Sequence, residues 1–301
     1  MNTPHAAGKR VIAFAYSGFG HAGLSALLRS GANVALVLSH ADKPGENIWW
    51  PSTPDLARQH GIPVLLDADL RDPDVVERIA ALQPDFLFSF YFRSLIPGRI
   101  LKIAKHGGYN LHGSLLPRYR GRAPLNWQLV HGETRTGLTL HRMVLSADAG
   151  DIVAQTATDV GPDEDAFTLV NRLLAMAPAF LDTALTSLFA GTAIHRPQDH
   201  TLANVFSGRT PADGRIDWSW SARRIHNLVR AVSHPFPGAS CTCDGQPLLI
   251  WRTRVVSDHG RHGEPGTMRA DGWIACGDGG LDIIDYTAPD GSTLKPGARL
   301  A

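Results

Sequence analysis

Along the first half of the chain, short unbroken apolar runs alternate with segments whose apolar residues recur every three or four positions. Residues 11–16, 34–38, 63–66, 85–90 and 108–111 are of the first kind and predict buried strands. Between them, 23–29 places Leu24, Leu27 and Leu28 with helical spacing. Residues 72–82 do the same with Val75, Val76, Ile79 and Leu82, and 54–60 predicts a short helix. Apolar strands separated by helices imply an α/β fold, a doubly wound and mostly parallel sheet covered on both faces. The glycine-rich stretch before residue 23 is expected as a turn joining the first strand to the first helix.

The pattern then changes. A helix is expected over 124–130, and two strands, 137–144 and 151–158, flank the turn-rich 146–150. Residues 165–189 predict one long helix with a kink point at Pro178. Past Gly191, residues 195–214 are polar with scattered Pro and Gly and suggest a linker. Short strand-like runs at 248–252, 273–275 and 281–284 follow, broken by Gly, Pro and Asp. The expected division is a larger domain over 1–203 and a smaller β-rich, barrel-like domain over 204–301.

Composition narrows the classes. The 301 residues are 44% hydrophobic and 19% charged, ordinary for a soluble globular chain of about two domains. A net charge of +1 makes no electrostatic case for nucleic acid or an anionic membrane surface. Three cysteines without a C-x-x-C pair argue against a disulfide framework and against a zinc site, so no metal is expected. Cys241 and Cys243, two apart in a strand, are expected to face the same way as small apolar residues. No apolar run approaches the ~18 residues of a membrane span. Residues 1–10 lack the apolar stretch of a signal peptide, so a cytoplasmic protein is expected.

Two segments carry candidate chemistry. Gly18, Gly20 and Gly23 fit the dinucleotide-binding G-x-G-x-x-G between a strand and a helix, the context of an NAD-dependent oxidoreductase. The acidic residue that should follow at the end of the second strand is missing, since that strand ends in Ser39-His40. Close packing of helix on strand explains the glycines better. The denser cluster is Asn110-Leu111-His112-Gly113-Ser114, at the end of a predicted strand. Asn110 and His112 share one face there, where open parallel sheets bind their ligands. An amide can donate to developing negative charge, and an imidazole can exchange protons near neutrality. A Ser114–His112–Asp148 hydrolase triad is disfavoured because Ser114 is not on a G-x-S-x-G elbow.

The run from Asn110 to Trp127, with Phe88-Ser89-Phe90-Tyr91, Leu140-His141-Arg142-Met143-Val144 and Ala147-Asp148-Ala149-Gly150, resembles the folate-dependent formyltransferase family. Gly208-Arg209-Thr210-Pro211, His226-Asn227 and Ala275-Cys276-Gly277-Asp278-Gly279 extend the likeness towards its aminosugar branch. That branch includes the formyltransferase half of bifunctional polymyxin-resistance proteins, which act in lipid A modification on UDP-4-amino-4-deoxy-L-arabinose. The resemblance implies a formyltransferase fold with a folate-binding catalytic domain and a barrel-like second domain. It implies catalytic roles for Asn110, His112 and Asp148. It further implies contacts to 10-formyltetrahydrofolate, as co-substrate, from Ser94, Leu95, Ile96, Arg122 and the loop Val144, Leu145, Ser146, Ala147 and Asp148. The dehydrogenase half of the bifunctional proteins has no counterpart up to Ala301, so oxidative decarboxylation is expected of another protein.

Within that family, methionyl-tRNA is the competing acceptor. From residue 204 onward there are 11 Lys and Arg against 10 Asp and Glu, too balanced for a surface that neutralises phosphates. A small nucleotide-sugar is the expected partner, with neither nucleic acid nor membrane. Arg118, Arg120 and Arg122 form a compact cationic group suited to a diphosphate or to the folate glutamate. Assembly into a homo-oligomer stays open.

Overall fold

A computed structural model describes residues 8–256, 263–288, 291 and 293–301. The first half alternates as its periodicity predicts: β1 (Arg10–Ala15), α1 (Ser17–Arg29), β2 (Asn33–Ser39), α2 (Thr53–Gln59), β3 (Val64–Leu66), α3 (Pro73–Ala81), β4 (Phe86–Phe90), α4 (Gly98–Leu101) and β5 (Gly108–His112). Next come β6 (Arg120–Gly121), α5 (Pro124–Val130), β7 (Arg135–Arg142), β8 (Ile152–Asp159) and α6 (Ala166–Phe189). The chain continues through β9 (Val205–Phe206), α7 (Ala222–Val232), β10 (Ala239–Cys243), β11 (Gln246–Val256), β12 (Ile274–Ala275) and β13 (Gly280–Thr287). Packing groups them into two compact units. One comprises Met1–Gly121, Gly137–Thr158 and Asn171–Val205, the other Arg122–Thr136, Asp159–Val170 and Phe206–Ala301.

The first unit is built on a seven-stranded sheet of order β3-β2-β1-β4-β5-β7-β8. Neighbours from β3 to β5 run parallel, and β7 runs antiparallel to β5. Alternation along the strands sends Ile12, Phe14, Leu36, Leu38 and Leu87 into one buried cluster with Ile79 of α3 and Ile100 of α4. Phe86, Phe88 and Phe90 point to the other face, where Phe189 of α6 lies edge-on to Phe86 and Phe88 at 5.3 and 6.0 Å. The strand order reverses direction between β1 and β4, and ligands bind at the carboxyl ends beside such a crossover.

The expected glycine turn is instead the start of α1. The chain reverses at Ser17 alone, which takes a left-handed φ of 62°. Gly18, Gly20 and Gly23 all lie inside the helix. A Cβ on Gly20 would stand 2.9 Å from the Ala15 carbonyl carbon, and one on Gly23 would overlap the Phe90 ring. These glycines exist for close approach of helix to sheet.

Helix α6 is the long helix expected here. It runs unbroken through Pro178, and its 24 residues are long and apolar enough to cross a membrane by length and composition. Its buried stripe, Leu173, Ala177, Leu181, Leu185 and Leu188, has the spacing of a helix lying on a core. The segment read as a linker is structured too: Arg196 and Ile152 exchange backbone hydrogen bonds of 2.8 and 2.9 Å, and Gln198 is buried.

In the second unit a four-stranded sheet of order β10-β11-β13-β12 is antiparallel throughout. Asp244 and Gly245, both left-handed, close the β10–β11 hairpin in two residues, as right-twisted strands prefer. Helix α7 buries Ile225, Leu228 and Val229. Asn126 of α5 donates to its Ala231 carbonyl at 2.7 Å. The cysteines are free; burial pushes the thiols of Cys241 and Cys276 up to about 12.

Candidate active site

At the carboxyl end of β5, Asn110 pairs with Ser89 of β4 on one side and His141 of β7 on the other. The antiparallel insertion of β7 therefore adds a second imidazole that spacing in sequence did not reveal. Asp148 reaches the same place from the loop 143–151. Asn110 Nδ2 donates to Asp148 Oδ1 at 3.2 Å and to His141 Nε2 at 3.1 Å. His141 Nδ1 donates to the Arg142 carbonyl at 2.9 Å, which leaves Nε2 of the neutral ring as the acceptor for Asn110.

His112 is 5% exposed. Its Nε2 donates to the Tyr119 carbonyl at 2.7 Å, while Nδ1 stands 3.7 Å from Asp148 Oδ2. The nitrogen that gains and loses a proton is thus the one facing the carboxylate. Burial pushes His112 below its ordinary range, with the Asp148 charge and the Tyr119 carbonyl opposing that shift. For Asp148, burial disfavours the charge. The positive charge that His112 and His141 carry when protonated, together with the Gly121 N–H that donates to Oδ2 at 2.8 Å, outweighs it and holds the carboxyl well below the usual carboxylate range. Neutral imidazole beside ionised carboxylate is the resting state at neutral pH. The two side chains are shielded from water.

The loop that carries Asp148 is locked. Asp148 has a left-handed φ of 52°, which a non-glycine residue adopts only when its surroundings require it. Gly150 has no room for a side chain against the Arg142 carbonyl. Gln198 Nε2 donates to the carbonyls of Asp148 and Gly150 at 2.8 and 2.6 Å. Arg120 donates to Gln198 Oε1 from Nη2 at 2.6 Å and from Nε at 3.2 Å. Arg120 is 7% exposed, so it is not part of a solvent-facing cationic group with Arg118 and Arg122. Next to this cluster Tyr91, left-handed at φ 55°, stacks on Phe19 at 4.1 Å. Its buried hydroxyl has no partner, and burial and the Asp148 charge keep it protonated.

The other expected residues fall in different settings. Leu95 and Leu145 are large apolar side chains left 69% and 75% exposed. Their loops touch, since a Cβ on Gly98 would stand 2.5 Å from Leu145 Cδ2. Val144, Ser94, Ser146 and Ala147 are exposed alongside, whereas Ile96 turns into the core with Ile100 and Leu87. Arg122 begins the second unit, where its N–H donates to the Phe206 carbonyl at 2.9 Å. Ser114 is fully buried and donates to the Arg118 carbonyl at 2.7 Å rather than to His112, which removes the hydrolase reading. Among the described residues no group of three or more His, Cys, Asp or Glu is arranged to hold a metal ion.

The fold is of α/β type, with an amide, an imidazole and a carboxylate gathered at the carboxyl end of its crossover sheet and a further unit built on an antiparallel sheet. The chain belongs to the formyl transferase family and is a formyltransferase: residues 10–185 match the formyl transferase family and 209–299 its C-terminal domain. Three solved structures share the fold. The N-formyltransferase of Helicobacter canadensis, complexed with folinic acid and dTDP-3-aminofucose, matches at 18% identity over 93% of this chain and 98% of its own, with a TM-score of 0.70. WlaRD, a sugar 3N-formyl transferase with dTDP and 5-N-formyl-THF, matches at 17% over 93% and 96%, TM-score 0.69. Glycinamide ribonucleotide transformylase 1 of Symbiobacterium toebii matches at 24% over 65% and 96%, TM-score 0.54.

Proposed function

We propose that this formyltransferase moves the formyl group of 10-formyltetrahydrofolate to the amine of a nucleotide-linked aminosugar, UDP-4-amino-4-deoxy-L-arabinose, in the cytoplasm and in the service of lipid A modification and polymyxin resistance. The observation that carries the reaction is the Asn110–His112–Asp148 contact, with its buried proton-accepting pair. Two formyltransferases that share the fold, crystallised with reduced folates and dTDP or a dTDP-sugar, support a reduced folate and a nucleotide-linked aminosugar as the substrate classes. Residues 1–203 carry folate binding and catalysis in this reading, and 204–301 form the second domain.

Asn110, His112 and Asp148 are the catalytic residues. The pair His112 Nδ1 and Asp148 accepts the proton that frees the amine. The amine nitrogen then bonds to the formyl carbon. Asn110 turns one N–H from its 3.2 Å bond with Asp148 to the formyl oxygen as negative charge builds there, a contribution of ~3–4 kcal/mol for one such donor. When the bond from carbon to the folate nitrogen breaks, the stored proton passes to that nitrogen, and the freed His112–Asp148 pair takes the second proton from the new amide nitrogen and releases it to water. The exposed Leu95, Val144 and Leu145, with Ser94, Ser146 and Ala147, line the folate, Ile96 backs them from the core, and Arg122 meets its glutamate. Trp50 and Arg93, gathered at the crossover by the contact of Trp50 with the buried Tyr16 ring and by the Arg93–Glu46 ion pair, offer an aromatic and a charged group to the nucleotide-sugar.

The deciding experiment offers 10-formyltetrahydrofolate with UDP-4-amino-4-deoxy-L-arabinose, with other nucleotide aminosugars and with methionyl-tRNA at one salt concentration, following tetrahydrofolate release. The UDP-sugar is expected to give the highest kcat/KM. A preference for tRNA, or NAD-dependent turnover without folate, overturns the reading.

A further inference from the structure

We infer that Gln198, clamped by Arg120, is a positioning residue that sets the ionisation of Asp148. The functional part of this inference rests on the catalytic role proposed for Asp148.

The backbone at Asp148 sits in a conformation that costs a non-glycine residue about 1–3 kcal/mol. Something must over-determine it. The loop's own sequence does not, because 144–147 are exposed. Gln198 is the brace: its two amide protons go to the carbonyls on either side of the turn, Asp148 at 2.8 Å and Gly150 at 2.6 Å. A glutamine amide left to rotate would lose both bonds, and Arg120 prevents that. Its guanidinium grips Oε1 at 2.6 and 3.2 Å, and its Nη2 lies 3.0 Å from His200 Nδ1. The backbone bridge between Ile152 and Arg196 sets residue 198 beside the loop. Both side chains are buried, 6% exposed for Gln198 and 7% for Arg120, so the bonds form away from competing water.

The carboxylate of Asp148 depends on this turn. It meets the Gly121 N–H, His141 and Asn110 together only while residue 148 stays left-handed. Without the brace the turn relaxes, these contacts lengthen and burial is left to act on the carboxyl. Its ionisation then moves up towards the ordinary carboxylate range.

The test uses two neutral variants that add no charge beside Asp148. Gln198→Met keeps the length and loses every hydrogen bond. Gln198→Asn keeps the amide and is too short to reach both carbonyls. Carbon-13 carboxyl resonances are followed against pH in the full chain, with Asp148→Asn identifying the signal, beside kcat, both KM values and thermal melts. In the parent Asp148 is expected to stay ionised to the lowest pH at which the protein remains folded. In both variants it should titrate at least one unit higher, kcat should fall about tenfold or more, and each KM should stay within about twofold. An unchanged Asp148 titration in whichever variant folds overturns the inference. A kcat loss that tracks the melts without a titration shift does the same. If the parent formylates no aminosugar while the titration still shifts, the brace stands and the proposed function falls.

Discussion

Among the described residues, buried histidines face an aspartate in both units, His112 and His141 at Asp148 and His226 at Asp163, and the two aspartates differ in exposure. In the first unit His112 faces Asp148, whose side chain is 13% exposed. In the second, His226 of α7 stands 3.1 Å from Asp163, which is 73% exposed, and its Nδ1 meets the Thr253 hydroxyl at 3.0 Å. Burial pushes both imidazoles down, and the aspartate opposes in both cases. Asp148 is itself drawn well below the carboxylate range, where water does not screen it from its partners. A histidine–aspartate contact is therefore no signature of chemistry by itself. A carboxylate that is enclosed, multiply hydrogen-bonded and held at a strained turn is the distinguishing feature.

The largest expected contrast is in turnover. His112→Ala and Asp148→Ala should each lower kcat at least ~100-fold with the fold intact, and the double variant should be little worse than the poorer single one, since the two act as a unit. Asp163→Ala should leave kcat within about twofold. Near-normal turnover in a folded His112→Ala protein would falsify the assignment and make the two histidines equivalent.

A smaller effect is expected in the pH profile. With His112 held below its ordinary value, the acid limb of kcat/KM should lie below pH 6.5. Asp148→Asn removes the charge that favours protonation, so the residual activity should show that limb moved still lower. An upward move contradicts the geometry.

The least effect is on stability. A folded-state pKa below the unfolded one means that the unfolded chain takes up its proton first, so stability falls as pH drops below about 6.5. Replacing His226 with Phe should therefore flatten the decline in Tm between pH 7 and 5. Asp163→Asn should steepen it only slightly, by less than about 0.5 kcal/mol, because Asp163 is largely in water. A steep loss from Asp163→Asn alone would show that exposure does not separate the two pairs.

Much of the fold could be read from periodicity, because the central parallel strands β1 and β4 are buried on both faces and therefore almost unbrokenly apolar. Strand β10, read from the spacing of Cys241 and Cys243, differs from these: Ala239-Ser240-Cys241-Thr242-Cys243 carries its apolar residues only on alternate positions. The sequence reading mistook the start of α1 for a turn, because glycine signals both a turn and a close contact. Only the position of the Phe90 ring separates those meanings. Asn110 and His112 were visible as a pair two apart at a strand end, and Asp148 through the family resemblance. His141 and Gln198 carried no local signal: one arrives by antiparallel pairing with β5, the other from a segment whose polarity looked like a linker.

By itself, then, the order of apolar and polar residues determined the alternation of strands and helices, the short strands near the end of the chain and the strand end where polar groups gather, but not the helix α7 that precedes those strands. These are consequences of local burial, which a chain declares residue by residue. Tertiary structure alone decided that Arg120 faces inward to Gln198 and not outward to an anion, that Asp148 is enclosed while Asp163 is wet, and which nitrogen of His112 is left to carry a proton. Each of those depends on which distant atoms exclude water or accept a hydrogen bond, and that is a property of packing rather than of neighbours in the chain.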